Sequence, residues 1–283
     1  MMIATARQVV VTGVFDDFLS IQLRFLEEAA RLGELTVLLW PDEAVQKLTG
    51  KPTKYSETER LYLLSAVRYV NRVILVTDVV NSFNELPDVN GFRPQVWADV
   101  ECQYNEKRKA FCQWHDLEYC VFSNERLKGF PDPTPSAAGP GPAPAEVRKK
   151  VVVTGSYDWF HSGHVRFFEE VSAQGDLYVI VSHDANIRLL KGPGHPLLPQ
   201  GERRYIVGSI KYVKQALISS GEGWLDADPE IQHLKPDIFA VNEDGDKGGR
   251  REYCKKNGIQ YLVLKRAPAP GLPRRSGTDL RGY

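Results

Sequence analysis

The sequence predicts an α/β protein: two tandem Rossmann-like, doubly wound parallel-sheet domains joined by a Pro-rich linker. Three observations carry this expectation. The chain repeats itself, each copy alternates short β-branched runs with helically patterned stretches, and a proline tract divides the copies. Strand–helix alternation is the pattern of a parallel sheet covered by helices.

The repeat sets the framework. Val9-Val10-Val11-Thr12-Gly13 recurs as Val151-Val152-Val153-Thr154-Gly155, an offset of 142 from Val9 to Val151. At that offset Asp16 meets Asp158, Phe18 meets Phe160, Arg24-Phe25 meets Arg166-Phe167, and Glu27-Glu28 meets Glu169-Glu170. Further along, Pro94 meets Pro236, Cys112 meets Cys254 and Tyr119 meets Tyr261; with one residue of slippage Glu59-Arg60 falls on Glu202-Arg203. A register held this far marks two copies of one domain. Residues 131–146 between them are rich in Pro, Ala and Gly. Proline removes amide donors and fixes φ, so neither a helix nor an interior strand forms there. An extended, semi-rigid linker reaching roughly 45 Å is expected, with domains at 1–130 and 147–283.

In the second copy, Lys150–Thr154 reads as a buried strand, continuous, β-branched and closed by glycine. His164–Ala173 has apolar residues at helical spacing. Leu177–Val181, Gln215–Ser219, Ile238–Val241 and Tyr261–Leu264 read as the remaining strands, with helices over Gln200–Val213 and Gly249–Asn257. Ligands of such sheets lie at the carboxyl ends of the strands, where strand order reverses. Attention therefore falls on the turn after the first strand.

Composition narrows the function. Lys+Arg and Asp+Glu both total 36, a formal net charge of zero, which argues against a nonspecific nucleic-acid binder but not against one anionic ligand. There is neither a signal pattern at the N-terminus nor an apolar run near the roughly 18 residues of a spanning helix, so a cytoplasmic protein without membrane contact is expected. Cys102, Cys112, Cys120 and Cys254 lack paired spacing; buried thiols are expected rather than zinc.

The first turn of the second copy runs Gly155-Ser156-Tyr157-Asp158-Trp159-Phe160-His161-Ser162-Gly163-His164. Two histidines flank a glycine where a strand ends and a helix begins. A helix N-terminus presents free N–H groups and a positive dipole end, which favours phosphate. Gly163 would let phosphate approach without meeting a Cβ, and histidines can donate to phosphate oxygens. The competing reading is a histidine that merely caps the helix.

This stretch resembles the GxFDxxHxGH hallmark of the cytidylyltransferase-like nucleotidyltransferase superfamily, with tyrosine replacing phenylalanine. Asn186–Gly192 resembles that family's lysine loop, Gly201–Tyr205 with Ile210–Val213 its ExR helix and RYV strand entry, and Arg275–Arg281 its closing ISSTDLR-type signature, with Gly277 where serine or threonine is usual. The resemblance implies a nucleotidyltransferase. An acceptor oxygen attacks the α-phosphorus of CTP or ATP and pyrophosphate leaves with Mg²⁺. His161 and His164 would bind the triphosphate and stabilise the transition state, and Lys191 would reach the triphosphate or the acceptor's phosphate. Gly155, Ser156, Tyr157, Asp158 and Gly163 would frame the phosphate site. Arg203 would face bound phosphate, and Ser276, Gly277 and Thr278 would hold the β/γ-phosphates at the start of a last helix. Asp158 could equally be a structural hydrogen-bonding residue, Arg203 a surface helix charge and Lys191 a solvated lysine. The resemblance names no metal ligand.

In the first copy His161 is matched by Leu19, His164 by Gln22, Gly163 by Ile21 and Lys191 by Thr49. This predicts a degenerate, non-catalytic domain that pairs with the second and leaves the chain monomeric. The tandem arrangement resembles ethanolamine-phosphate cytidylyltransferase, whose catalytic copy is the N-terminal one, the reverse of this chain. The favoured expectation is CMP transfer to a small phosphorylated acceptor. Adenylyl transfer to a phosphorylated sugar or cofactor precursor is the alternative, and a non-catalytic nucleotide sensor or scaffold is the third reading.

Overall fold

The computed structural model describes residues 6–77, 82–89, 91–132 and 148–276. The chain divides into two compact units, Met1–Gly129 and Phe130–Tyr283. Most of the proline tract (133–147) lies outside the described residues.

The first unit runs β1 (Gln8–Gly13), α1 (Ser20–Ala30), β2 (Glu34–Leu39), α2 (Asp42–Thr49), α3 (Glu57–Ser65), β3 (Arg72–Leu75), β4 (Val96–Val100), α4 (Glu106–Trp114) and β5 (Glu118–Phe122). The second runs β6 (Lys150–Gly155), α5 (Ser162–Ser172), β7 (Asp176–Val181), α6 (Asp184–Lys191), α7 (Gln200–Gly208), β8 (Val213–Ile218), α8 (Asp228–Leu234), β9 (Ile238–Asn242), α9 (Arg250–Lys256) and β10 (Gln260–Leu264). Each unit has one five-stranded sheet, in the orders β3-β2-β1-β4-β5 and β10-β9-β6-β7-β8. Every strand pair is parallel. Read from β8 to β10, the second order reproduces the first, so the sequence repeat is a repeat of topology. The reversal falls between β6 and β9 in the second unit and between β1 and β4 in the first.

The central strands carry unbroken β-branched runs because both their faces are covered. Val9, Val10 and Val11 are buried completely, as are Val151, Val152 and Val153. Two glycines at equivalent places admit the chain entering each sheet: a Cβ on Gly33 would lie 2.1 Å from the Arg7 carbonyl oxygen, and one on Gly175 the same distance from that of Lys149. Cys112 and Cys254 also coincide and are buried, and burial pushes both thiols up to about 11. Cys102 is exposed, against expectation; it lies on a short turn directly after β4.

Several boundaries depart from the sequence reading. The helix expected over Gln200–Val213 stops at Gly208, and buried Ile210 leads into β8. Lys191 is not in a loop but is the last residue of α6, a helix the sequence reading did not assign. α8, which starts with Asp228-Pro229, was also unassigned.

One side chain ties the second unit's strand ends together. Arg203 is completely buried. Its Nε donates to the Leu198 carbonyl (2.9 Å), Nη1 to the Ser156 carbonyl (2.5 Å), and Nη2 to the Ser182 carbonyl (2.8 Å) and to Asp184 Oδ1 (2.7 Å). This corrects the sequence expectation that Arg203 faces phosphate, because its donors are engaged and none of its surface is open. Arg60 makes the same set in the first unit, to Tyr55, Val14 and Trp40 carbonyls (3.0, 2.5 and 3.0 Å) and Asp42 Oδ1 (2.6 Å). Removing a buried guanidinium strands several acceptors and one carboxylate at once. Arg203→Ala and Arg60→Ala should each destabilise their own unit by about 3 kcal/mol or more. The exposed-pair control Arg251→Ala should cost far less. Calorimetric unfolding checks this, and a loss at Arg203 no larger than the control's would remove the clamp from the account.

Candidate active site

The crevice at the β6–β9 reversal is a cavity of about 250 Å³. On one side it is lined by the end of β6 and the following turn, including Gly155, Ser156 and Tyr157. The start of α5 contributes His161, Gly163 and His164, and the far side is Asn242, Asp244, Arg250 and Arg266. Six of the expected residues thus converge with Lys191, whose Nζ donates to Ser156 Oγ at 2.9 Å.

The turn is held by backbone-directed contacts. Asp158 is buried, and its Oδ1 accepts from the amides of Leu197 (2.7 Å) and Leu198 (3.1 Å), with His195 Nδ1 at 3.5 Å from Oδ2. Its geometry is that of a brace for the loop after α6. The first unit again agrees, Asp16 accepting from the amides of Lys54 (2.5 Å) and Tyr55 (2.7 Å). Tyr157 and Phe15 both sit at φ 50°, in the left-handed region that non-glycine residues rarely occupy. A Cβ on Gly155 would come within 2.9 Å of the Tyr157 ring, so this glycine makes room for the aromatic residue.

His161 is the N-cap of α5: its Nδ1 accepts from the Gly163 amide at 3.1 Å. Capping and ligand binding are compatible here. With Nδ1 accepting, a neutral imidazole carries its proton on Nε2, which makes Nε2 the donor. A Cβ on Gly163 would stand 2.9 Å from His161 Cε1 and 3.0 Å from Nδ1. Gly163 therefore serves the histidine ring directly, a role beyond the phosphate approach read from sequence. The His161 and His164 rings stack at 3.9 Å and 22°. His164 also stacks on Phe160 (5.4 Å) and meets the edge of Tyr157 (5.3 Å). Its Nδ1 is buried without a hydrogen-bond partner among the described residues. Burial, then the positive neighbours His161, Arg266 and Lys191, hold its pKa well below the usual histidine value.

Arg266 escaped the sequence reading. It lies two residues beyond β10, its Nη1 pairs with Asp244, and its Nη2 donates to the Arg275 carbonyl at 2.9 Å. The signal that could have found it is an arginine immediately after a strand's carboxyl end. Ser276 follows Arg275 at the edge of the described chain, while Gly277 and Thr278 lie outside the described residues.

Residues 152–281 match the family model described as Cytidylyltransferase-like. The chain is 38% identical over 120 residues to a FAD synthase of Ferroglobus placidus, covering 41% of this chain and 75% of that protein. Over 120 residues it is 39% identical to a FAD synthase of Pyrococcus horikoshii (41% and 78%), and over 135 residues 30% identical to one of Methanocella paludicola (47% and 93%). The chain belongs to the cytidylyltransferase-like family. That family is part of the nucleotidyltransferase superfamily, as the motif of α5 and its preceding turn implied. Each of these matches spans less than half of this chain. Among the described residues no helix is long and apolar enough to cross a membrane.

The depressed histidine has a consequence for stability. In the unfolded chain His164 titrates near 6.5, while in the fold it takes its proton only at lower pH. As pH falls below about 6.5 the unfolded state binds the proton first, so stability is whole above that value and is lost below it. His164→Gln, which installs the first copy's residue, should flatten this acid limb between pH 7 and 5 by up to about 1.4 kcal/mol per pH unit. Urea unfolding across that range checks it. Coincident pH slopes would mean that His164 titrates as an ordinary histidine.

Proposed function

We propose that the second unit transfers AMP from ATP to the phosphate of FMN, forming FAD and pyrophosphate, and that the first unit is non-catalytic. The stacked His161–His164 pair at the N-terminus of α5, set in the β6–β9 crevice, carries this reading. The FAD synthases among the relatives support ATP as donor and FMN as acceptor. The CMP transfer favoured by the sequence reading has no support among them.

The step needs no covalent enzyme intermediate. An FMN phosphate oxygen forms a bond to the α-phosphorus while the bond to the β-phosphate's bridging oxygen breaks, and pyrophosphate leaves. Rate acceleration comes from position and from donors aimed at the developing negative charge. His161 donates from Nε2, and a neutral His164 donates without a proton being taken from solvent. Lys191 and Arg266 bring positive charge from opposite walls, and the positive dipole end of α5 adds to it. The family resemblance of Ser276, Gly277 and Thr278 supports their holding the β- and γ-phosphates.

A divalent cation fits this donor set only as a companion of the triphosphate. Among the described residues lining the cavity, Asp244 is the acidic side chain, and Mg²⁺ commonly takes one or two carboxylates plus substrate phosphates. Bound there, it would offset charge on the leaving pyrophosphate.

In the first unit the corresponding donors are replaced. Leu19 and Ile21 stand 41% and 46% exposed where the second unit has His161 and Gly163. The place of cavity-lining Val241 is taken by buried Asp99, which binds Arg108 Nη1 (2.6 Å) and the Tyr119 hydroxyl (2.8 Å). The guanidinium equivalent to Arg250 is thereby committed.

With Mg²⁺, ATP and FMN, the full-length protein should release pyrophosphate and form FAD, with CTP a much poorer donor. His161→Asn keeps an oxygen able to cap α5 and should lower kcat about 10²–10³-fold. Chromatographic detection of FAD is the readout. Pyrophosphate release with another phosphorylated acceptor but not FMN would replace the acceptor, and an active His161→Asn would displace the histidine.

A further inference from the structure

The loop after β8 carries a tryptophan that the phosphate chemistry does not use. Trp224 is 52% exposed. A large aromatic side chain left half in water forgoes the burial that normally retains it, yet its turn is pinned by buried side chains. Asn186, buried on α6, binds Gly223 in both directions: Nδ2 donates to its carbonyl (3.1 Å) and Oδ1 accepts from its amide (2.8 Å). Gly223 sits at φ 78°, a left-handed conformation suited to glycine. Upstream, the Gly221 amide donates to the Asp226 carbonyl (2.8 Å), and Ser219 Oγ donates to Asp226 Oδ2 (2.7 Å). His183 Nε2 lies 2.8 Å from the Gly221 carbonyl. The indole itself rests on Gly249: a Cβ there would be 3.6 Å from its Cζ2 and Cη2. Gly249 precedes Arg250, which lines the cavity.

These contacts mount a half-exposed indole against Gly249, one residue from cavity-lining Arg250. At the offset of 142 Asn186 becomes Ala44, so the first copy lacks the side chain that pins this turn as well as the histidines.

We propose that Trp224 is the stacking platform for the acceptor, and that the acceptor is a phosphomonoester bearing a flat aromatic ring system. Its phosphate would enter the crevice toward His161 and Lys191 while its rings lie on the indole outside the cavity. This rests on the assignment of the crevice as the transfer site and deepens it by assigning the acceptor end. Stacking needs only a π-face and discriminates against non-aromatic phosphates of similar size. A rigidly mounted indole loses little freedom on binding.

The test titrates FMN against the full-length wild type, Trp224→Ala and Trp224→Phe, reading quenching of flavin fluorescence, with KM for FMN and for ATP measured alongside. Matching thermal midpoints for the three proteins establish that the fold is intact. Trp224→Ala should weaken FMN binding and raise its KM about tenfold or more, with KM for ATP within about twofold of wild type. Trp224→Phe should recover most of the loss. Equal FMN affinity and KM in wild type and Trp224→Ala would overturn the platform and leave the transfer reaction standing. FMN binding that depends on Trp224 without FAD formation would keep the platform and remove the reaction. A wild type that does not quench flavin at all would overturn both.

Discussion

A single guanidinium, that of Arg203, joins three separate stretches of chain at the carboxyl edge of the second sheet. It holds the carbonyl that follows β6, the carbonyl that follows β7, the loop carbonyl before α7, and the first carboxylate of α6. Burying such a group is costly unless its donors are satisfied, and here four hydrogen bonds, one to a carboxylate, offset the desolvation. Ser156 is placed by this bond, and so is the start of α6, whose last residue returns Lys191 to Ser156. The Asp158 brace continues the path by binding the amides of Leu197 and Leu198, next to the carbonyl that Arg203 also holds. The turn bearing the histidines is therefore suspended from buried hydrogen bonds on both sides.

The first unit shows that this suspension and the chemistry are separable. Arg60, Asp42, Asp16 and Phe15 reproduce the clamp, the carboxylate, the brace and the strained aromatic turn. Leu19, Ile21 and Gln22 replace the histidine motif. The energetic asymmetry explains why the two sets differ. Losing a clamp residue strands buried acceptors and costs several kcal/mol, whereas exchanging the histidine-motif residues leaves the hydrogen bonds of the clamp and the brace in place. A copy can therefore exchange the motif and keep its fold.

The same asymmetry governs what could be read from sequence. The doubly wound parallel-sheet class was legible because strand–helix alternation and β-branched strands report burial directly. The convergence of His161, His164, Lys191 and the first turn was legible from motif spacing. Arg203 was misjudged, and Asp158 left open between the phosphate site and a structural role, because a motif shows that a residue type is needed and not whether it faces a ligand or the backbone; the matching pair Arg60 and Asp16, present in a copy without histidines, contained the answer. The α6 helix was missed because Asp184–Lys191 is short and largely polar outside Ile187, Leu189 and Leu190, two of which are exposed. Arg266 belongs to no repeat and no spacing rule, and only the fold brings it to the crevice.

The distribution of charge completes the physical picture. A chain with no net charge concentrates Lys191, Arg250 and Arg266 around one crevice with Asp244 as the acidic side chain among the described lining residues. In the absence of an anion, burial and then its positive neighbours His161, Arg266 and Lys191 favour a neutral His164, so the stacked rings avoid placing two charges 3.9 Å apart. In the proposed reaction an arriving triphosphate would reverse the field, and the histidines would meet it as preorganised donors, already fixed by the cap, the stack and the aromatic neighbours. The protein supplies the fixed part of the site from its core, and the ligand's own charge supplies the rest.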